Sequence, residues 1–187
     1  MKKFITIIAC LFIMLTLCAC SNTSDKTTIR NIKQSKDSEE IIQFLDNKLQ
    51  IFEIHYSDDV KSRTIQLWIC HNGKWEKGGK IAGNIEDDKE SIKLFINTDY
   101  VSIQSDGAKY KLYVDDVSFE NLSSYENMGI NKGFDVDLNK EYTLAAMYGS
   151  KQKIIPSITN NQTITSMNYD VAIAITITTS DEIMNIE

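Results

Sequence analysis

Proline is nearly absent from this chain; Pro156 stands alone. Glycine is sparse as well, at eight residues. These shortages exclude a collagen-like array, a proline-rich spacer and a long flexible linker between domains. Histidine is limited to His55 and His71. No H-E-x-x-H, G-x-S-x-G, C-x-x-C, P-loop or dinucleotide fingerprint is present. The sequence therefore names no nucleophile, no metal site and no cofactor. Basic charge is in the minority, with 20 Lys and Arg against 26 Asp and Glu, for a formal charge of −6. That balance argues against nucleic acid as a partner. No uncharged apolar run reaches the roughly 20 residues that a membrane-crossing helix requires.

What is present begins at the N-terminus, "MKKFITIIACLFIMLTLCAC". Lys2 and Lys3 form a basic start, and Phe4 to Leu17 is an apolar stretch of signal-peptide length. The motif Leu17-Cys18-Ala19-Cys20 that follows resembles the lipobox of bacterial lipoproteins. Leu stands three positions before the cysteine and a small residue one position before it. The resemblance implies cleavage after Ala19 and diacylglycerol on the Cys20 thiol. Cys18 occupies a position where Ala, Ser or Thr is usual in such proteins. Two acyl chains, at about 0.8 kcal/mol per buried CH₂, anchor a protein stably. Of the four cysteines, Cys70 then remains alone. An exported chain with one thiol has no internal disulfide, so its fold rests on its core.

Residues 1–19 are thus expected as a lipoprotein signal peptide, 20–37 as the lipidated Cys20 with a polar tether, and 38–187 as one domain. The tether, Ser21 to Asp37, would reach at most roughly 60 Å. Asp37 and Glu40 form a capping-box pattern, and Ile41, Ile42, Phe44, Leu45 and Leu49 follow helical spacing. This predicts a helix from about Ser38 to Leu49.

Beyond it the hydrophobic period becomes two. Asn72-Gly73 reads as a two-residue hairpin turn. It sets Cys70 opposite Trp75 and Trp68 opposite Lys77, with Trp68, Cys70 and Trp75 on one face and Ile65, Leu67 and Ile69 on the other. Asp106-Gly107 reads as a second turn. It sets Ile103 opposite Tyr110, Val101 opposite Leu112 and Tyr100 opposite Tyr113. Further alternating runs lie in "IFEIHY", "SIKLFI", "FDVDL", "EYTLAAMY" and "YDVAIAITITT". In "EYTLAAMY" simple alternation puts Tyr142, Leu144, Ala146 and Tyr148 on one face. In "YDVAIAITITT" small residues oppose the isoleucines, which suggests a central strand with something packed close. From Phe119 to Met128 the spacing suits a short helix ended by Gly129. Together these features predict an all-β, antiparallel β-sandwich of about eight or nine strands with one short N-terminal helix.

The candidate ligand-binding residues are aromatic. Trp68 and Trp75 share one hairpin face, and Tyr100 and Tyr113 pair on another, as flat surfaces for sugar rings. The segment "KLYVDDVSF" resembles a strand of jelly-roll carbohydrate-binding modules, in which such an Asp holds a structural calcium. In those modules the strand closes the domain, whereas here more than sixty residues follow it. As a whole, the chain resembles uncharacterised small lipoproteins of low-GC monoderm bacteria in its tether, early helix and β-rich "W…NGKW" segments. The resemblance implies an extracytoplasmic, membrane-anchored protein. The expected function is a non-catalytic binding or interaction module, with a cell-envelope glycan or surface protein as partner. The alternatives are a cell-wall carbohydrate-binding module and a hydrolase that uses paired carboxylates. The acidic clusters Asp58-Asp59, Glu86-Asp87-Asp88 and Asp115-Asp116, together with Asp135 and Asp137, would supply such a pair. Replacing Cys20 tests the N-terminal reading: Cys20→Ser is expected to stop processing after Ala19, leaving a chain that keeps residues 1–19 and takes up no labelled fatty acid.

Overall fold

A computed structural model describes residues 26–32, 34–45, 48–105, 107–114, 117–130, 132–152, 157, 159–160 and 163–185. The signal peptide and Cys20, together with Asp106, Asp115, Asp116 and Pro156, lie outside the described residues. Among those described there are eleven strands and one α-helix. The strands are β1 (Thr27–Asn31), β2 (Leu49–His55), β3 (Ser62–His71), β4 (Lys74–Asn84), β5 (Lys89–Ile96) and β6 (Tyr100–Ser105). They continue with β7 (Ala108–Tyr113), β8 (Ser124–Met128), β9 (Phe134–Val136), β10 (Glu141–Ser150) and β11 (Val171–Ser180). The helix α1 spans Lys36–Phe44.

The strands form two antiparallel sheets, one of six strands ordered β7-β6-β5-β2-β1-β9 and one of five ordered β4-β3-β11-β10-β8. The expected all-β sandwich is what the chain adopts, with more strands than the eight or nine expected. Both turn-derived registers hold. Cys70 pairs with Trp75 and Trp68 with Lys77; Tyr100 pairs with Tyr113 and Ile103 with Tyr110. At the first turn Asn72 has φ 48° and Gly73 φ 79°, the two positive angles a type I′ turn requires.

The main core lies between the sheets. Phe52, Ile54, Ile92, Leu94, Val101 and Ile103 of the six-stranded sheet meet Ile65, Leu67, Ile173, Ile175 and Ile177 of the other. Period-2 patterning explains each of these faces. In β10 it fails. A bulge between Thr143 and Ala145 inserts one residue, so Tyr142, Leu144, Ala145 and Met147 face the main core. Ala146 and Tyr148 turn to the opposite face. The single face expected for Tyr142, Leu144, Ala146 and Tyr148 is therefore split in two, because an extra residue reverses the alternation.

Three local expectations need correction. The segment read as tether contains β1, which pairs with both β2 and β9. Its inward residues are Thr27 and Ile29, and the Thr27 hydroxyl bonds that of Ser57 at 2.9 Å. Backbone pairing on both edges holds a strand that has too few apolar residues to show in the sequence. The helix starts earlier and ends sooner than expected. Ser35 is its N-cap, accepting a bond from the Ser38 N–H at 3.3 Å, and Leu49 belongs to β2 opposite Phe95. Finally, the helix expected from Phe119 to Met128 is in part strand β8, because the edge of β10 offers its backbone groups a ladder.

One polar contact crosses the interior. Glu90, 4% exposed, projects inward from β5. Arg63 of β3 reaches it with Nε at 2.9 Å and Nη2 at 2.5 Å. The hydroxyls of Tyr56 and Ser105 also donate to it. Burial works to raise the Glu90 pKa, but the bonds and charge of Arg63, then Ser105 and Tyr56, outweigh it and hold the carboxyl below its ordinary value. Burial and the Glu90 charge push the Tyr56 phenol up. Because the folded carboxyl is depressed, its contribution is complete above the ordinary value of 4.5 and fades as pH falls through the folded pKa. Glu90→Gln, which leaves Arg63 unpaired, is expected to cost about 3–5 kcal/mol in urea unfolding. The double replacement Arg63→Met with Glu90→Leu should cost much less and remove this acid-dependent loss.

Candidate functional site

The two aromatic candidates occupy different kinds of surface. Trp68 and Trp75 lie on the outer face of the five-stranded sheet, yet they are half-buried. Residues 163–170, just before β11, lie over that face. Their 3₁₀ turn, Ile164–Ser166, and Tyr169 make a second small core with Cys70, Ala146, Tyr148, Ala172 and Ala174. The small residues of β11 admit Tyr148 and Tyr169, whose rings lie 4.9 Å apart. Trp75 Nε1 donates to the Met167 carbonyl at 2.8 Å. Trp68 Nε1 donates to the Glu141 carboxylate at 2.8 Å and to the Thr176 hydroxyl at 3.2 Å. The indoles are thus engaged by packing and by hydrogen bonds. Cys70 is fully buried in the same cluster, its thiol donating to the Tyr169 carbonyl at 3.3 Å. Burial pushes that thiol's pKa up, which makes it a weak nucleophile.

Tyr100 and Tyr113 lie on the outer face of the six-stranded sheet. Tyr113 is 67% exposed. Lys111 sits between them, its Nζ 3.9 Å from the Tyr100 ring centroid and 5.0 Å from that of Tyr113. Phe95 adjoins Tyr100 at 6.2 Å. The structure brings these two tyrosines together and separates them from the tryptophans by placing the pairs on different sheets.

A feature the sequence does not signal is a cleft of about 420 Å³ beside α1. Its helix wall is Glu39, Ile42 and Gln43, and β2 contributes Leu49, Gln50 and Ile51. Asn31, Gln34, Asn127 and Gly129 complete the polar lining. Five side-chain amides therefore face one space alongside aliphatic groups. Amides both donate and accept, so they suit an uncharged ligand rich in hydroxyl, amide or acetamido groups. The Asn31 amide donates to the Ile130 carbonyl, which ties the cleft to the chain after β8. A Cβ on Gly129 would fall 2.2 Å from the Gln50 side chain, so glycine makes room for that amide. Scattered amides have no sequence spacing of their own, and only the fold gathers them. The helix buries none of its residues, and Ile41 and Phe44 are 60% and 87% exposed.

The paired-carboxylate reading meets a smaller cavity of about 180 Å³ lined by Glu86, Asp87 and Glu90 with Tyr56 and Arg63. Glu90 is occupied there by four hydrogen-bond donors, and its pKa is depressed. A general acid needs the opposite shift. Asp135 lies beside Lys26 at 3.7 Å and Asp137 beside Lys140 at 3.7 Å. Among the described residues no group of three or more His, Cys, Asp and Glu side chains is placed to hold a metal ion. His55 contacts Glu53 on the outer face of β2.

No protein-family model and no solved structure matches the chain. Among curated proteins it is 31% identical over 104 residues to protein phosphatase methylesterase 1 of Candida albicans. The match covers 53% of this chain and 28% of that protein, so the name describes the yeast protein alone. The burial contrast between the aromatic pairs is directly measurable. Trp75→Ala is expected to cost about 2–4 kcal/mol in urea unfolding, while Tyr113→Ala should change stability by less than about 0.5 kcal/mol.

Proposed function

We propose that this protein is a non-catalytic binding module, lipid-anchored through Cys20 on the extracytoplasmic face of the membrane, and that its cleft takes a segment of a cell-envelope glycan. The amide-lined cleft beside α1 carries the reading. Its amides can bond to hydroxyl and acetamido groups, while Ile32, Ile42, Leu49 and Ile51 offer apolar contact to the carbon faces of sugar rings. Signal-like residues before Leu17-Cys18-Ala19-Cys20 support the anchor. With β1 beginning at Thr27, Ser21 to Lys26 would span at most about 20 Å. The domain would then sit close to the bilayer, within reach of polymers at the membrane surface. Among the described residues no helix is long and apolar enough to cross a membrane.

The experiment is calorimetric titration of the full chain, held in a neutral detergent, with the N-acetylglucosamine tetramer. Saturable binding is expected, with no cleavage of the probe in the recovered solution. Gln43→Ala, on the exposed helix surface, should weaken binding by about three- to tenfold while leaving the unfolding curve unchanged. Cleavage of the tetramer, or affinity indifferent to Gln43, would overturn the reading.

A further inference from the structure

On the six-stranded sheet, strands β5, β6 and β7 turn lysines and aromatic rings outward, while the neighbouring strand β2 turns Glu53 to the same face beside Ser91. Strand alternation fixes which residues of β5, β6 and β7 point outward. Lys93, Phe95, Tyr100, Lys109, Lys111 and Tyr113 are among them. Lys89, Ser91, Ser102 and Gln104 complete the set. No carboxylate stands at any outward position of these three strands, although the chain as a whole has a formal charge of −6. An ordinary solvated face of an acidic protein mixes both signs. These three strands pair a single sign with aromatic rings.

The register shows how the groups are spaced. Lys93, Gln104 and Lys109 form one row across the strands, which places the outer two about 10 Å apart at the backbone. Phe95, Ser102 and Lys111 form the next row, and Tyr100 and Tyr113 the third. The Lys111 ammonium lies against both tyrosine rings. Next to this face, Leu49 pairs with Phe95 and Ile51 with Lys93; both β2 residues line the amide cleft. Two residues of the cleft wall thus stand in register beside two residues of this face.

We propose that this face binds an anionic glycan whose chain runs from the cleft across β5, β6 and β7. Ring carbons stack on Phe95, Tyr100 and Tyr113, and anionic groups pair with Lys93, Lys109 and Lys111. Charge complementarity selects the anion, and the aromatic rings select a ligand with flat apolar faces. The choice of a glycan over a single-stranded nucleic acid or an anionic bilayer rests on the extracytoplasmic binding reading above, and on Ser102 and Gln104, which keep the middle of the face polar.

The test uses the full chain in neutral detergent and a hyaluronate decasaccharide, in which acetamido sugars alternate with carboxylated ones. Calorimetry is expected to show binding about tenfold tighter than for the neutral N-acetylglucosamine tetramer. The triple change Lys93→Gln, Lys109→Gln and Lys111→Gln should abolish that advantage while leaving tetramer binding intact. This separates failure of the face from failure of the cleft. Tyr113→Ala should weaken hyaluronate several-fold without changing the salt dependence, which an ion-exchange surface would not show. Equal affinity for hyaluronate and tetramer would overturn the proposal. So would a Tyr113→Ala variant with full affinity. Tighter binding to single-stranded oligothymidine, or to phosphatidylglycerol vesicles, than to hyaluronate would overturn it as well.

Discussion

Inside the sandwich, the guanidinium of Arg63 on one sheet holds the carboxylate of Glu90 on the other. Apolar burial drives two sheets together but is indifferent to small sliding motions, because it has no direction. A forked, two-point ion pair is directional. Tyr56 and Ser105 complete the carboxylate's shell, so the site is costly to open and tolerates one relative placement of β3 and β5. The cavity lined by Glu86, Asp87 and Glu90 owes its character to this role. A carboxylate fully engaged in joining two sheets is not available as an acid.

The two outer faces have been put to different uses. On the five-stranded sheet, residues 163–170 fold back over Ala172 and Ala174, and Tyr148 and Tyr169 fill the space those small residues leave. The tryptophans become the margin of that second core. The turn at Asn72-Gly73 is drawn into it, its backbone N–H groups donating to the Asp170 and Tyr169 carbonyls. On the six-stranded sheet none of the described residues covers the outward side of β6 and β7, and Lys109, Lys111 and Tyr113 are exposed. The proposed ligand contacts therefore lie on that face and in the cleft beside α1.

Hairpin register was legible because two-residue turns leave no freedom in pairing, as Cys70 opposite Trp75 and Tyr100 opposite Tyr113 show. The central place of β11 was legible in its isoleucines set against alanine and threonine. β1 was hidden because a strand paired on both sides can rest on backbone bonds and one isoleucine. β8 was misread because an edge strand with no buried residue has no hydrophobic period to display. The β10 bulge was invisible because one inserted residue preserves composition while reversing which face each side chain takes. The cleft escaped notice for a related reason. Asn31, Gln43, Gln50 and Asn127 lie on four different elements, share no spacing and are individually ordinary, so their convergence belongs to the fold.

The sequence by itself determined the all-β architecture, the two hairpin registers and the membership of most inward faces, since these follow from local periodicity and turn stereochemistry. Only the tertiary structure decided which face of the Trp68–Trp75 hairpin meets the main core, that Arg63 meets Glu90, and that scattered amides share one cleft. Those outcomes depend on how distant segments pack, and no local pattern along the chain encodes a contact between residues that only folding makes neighbours.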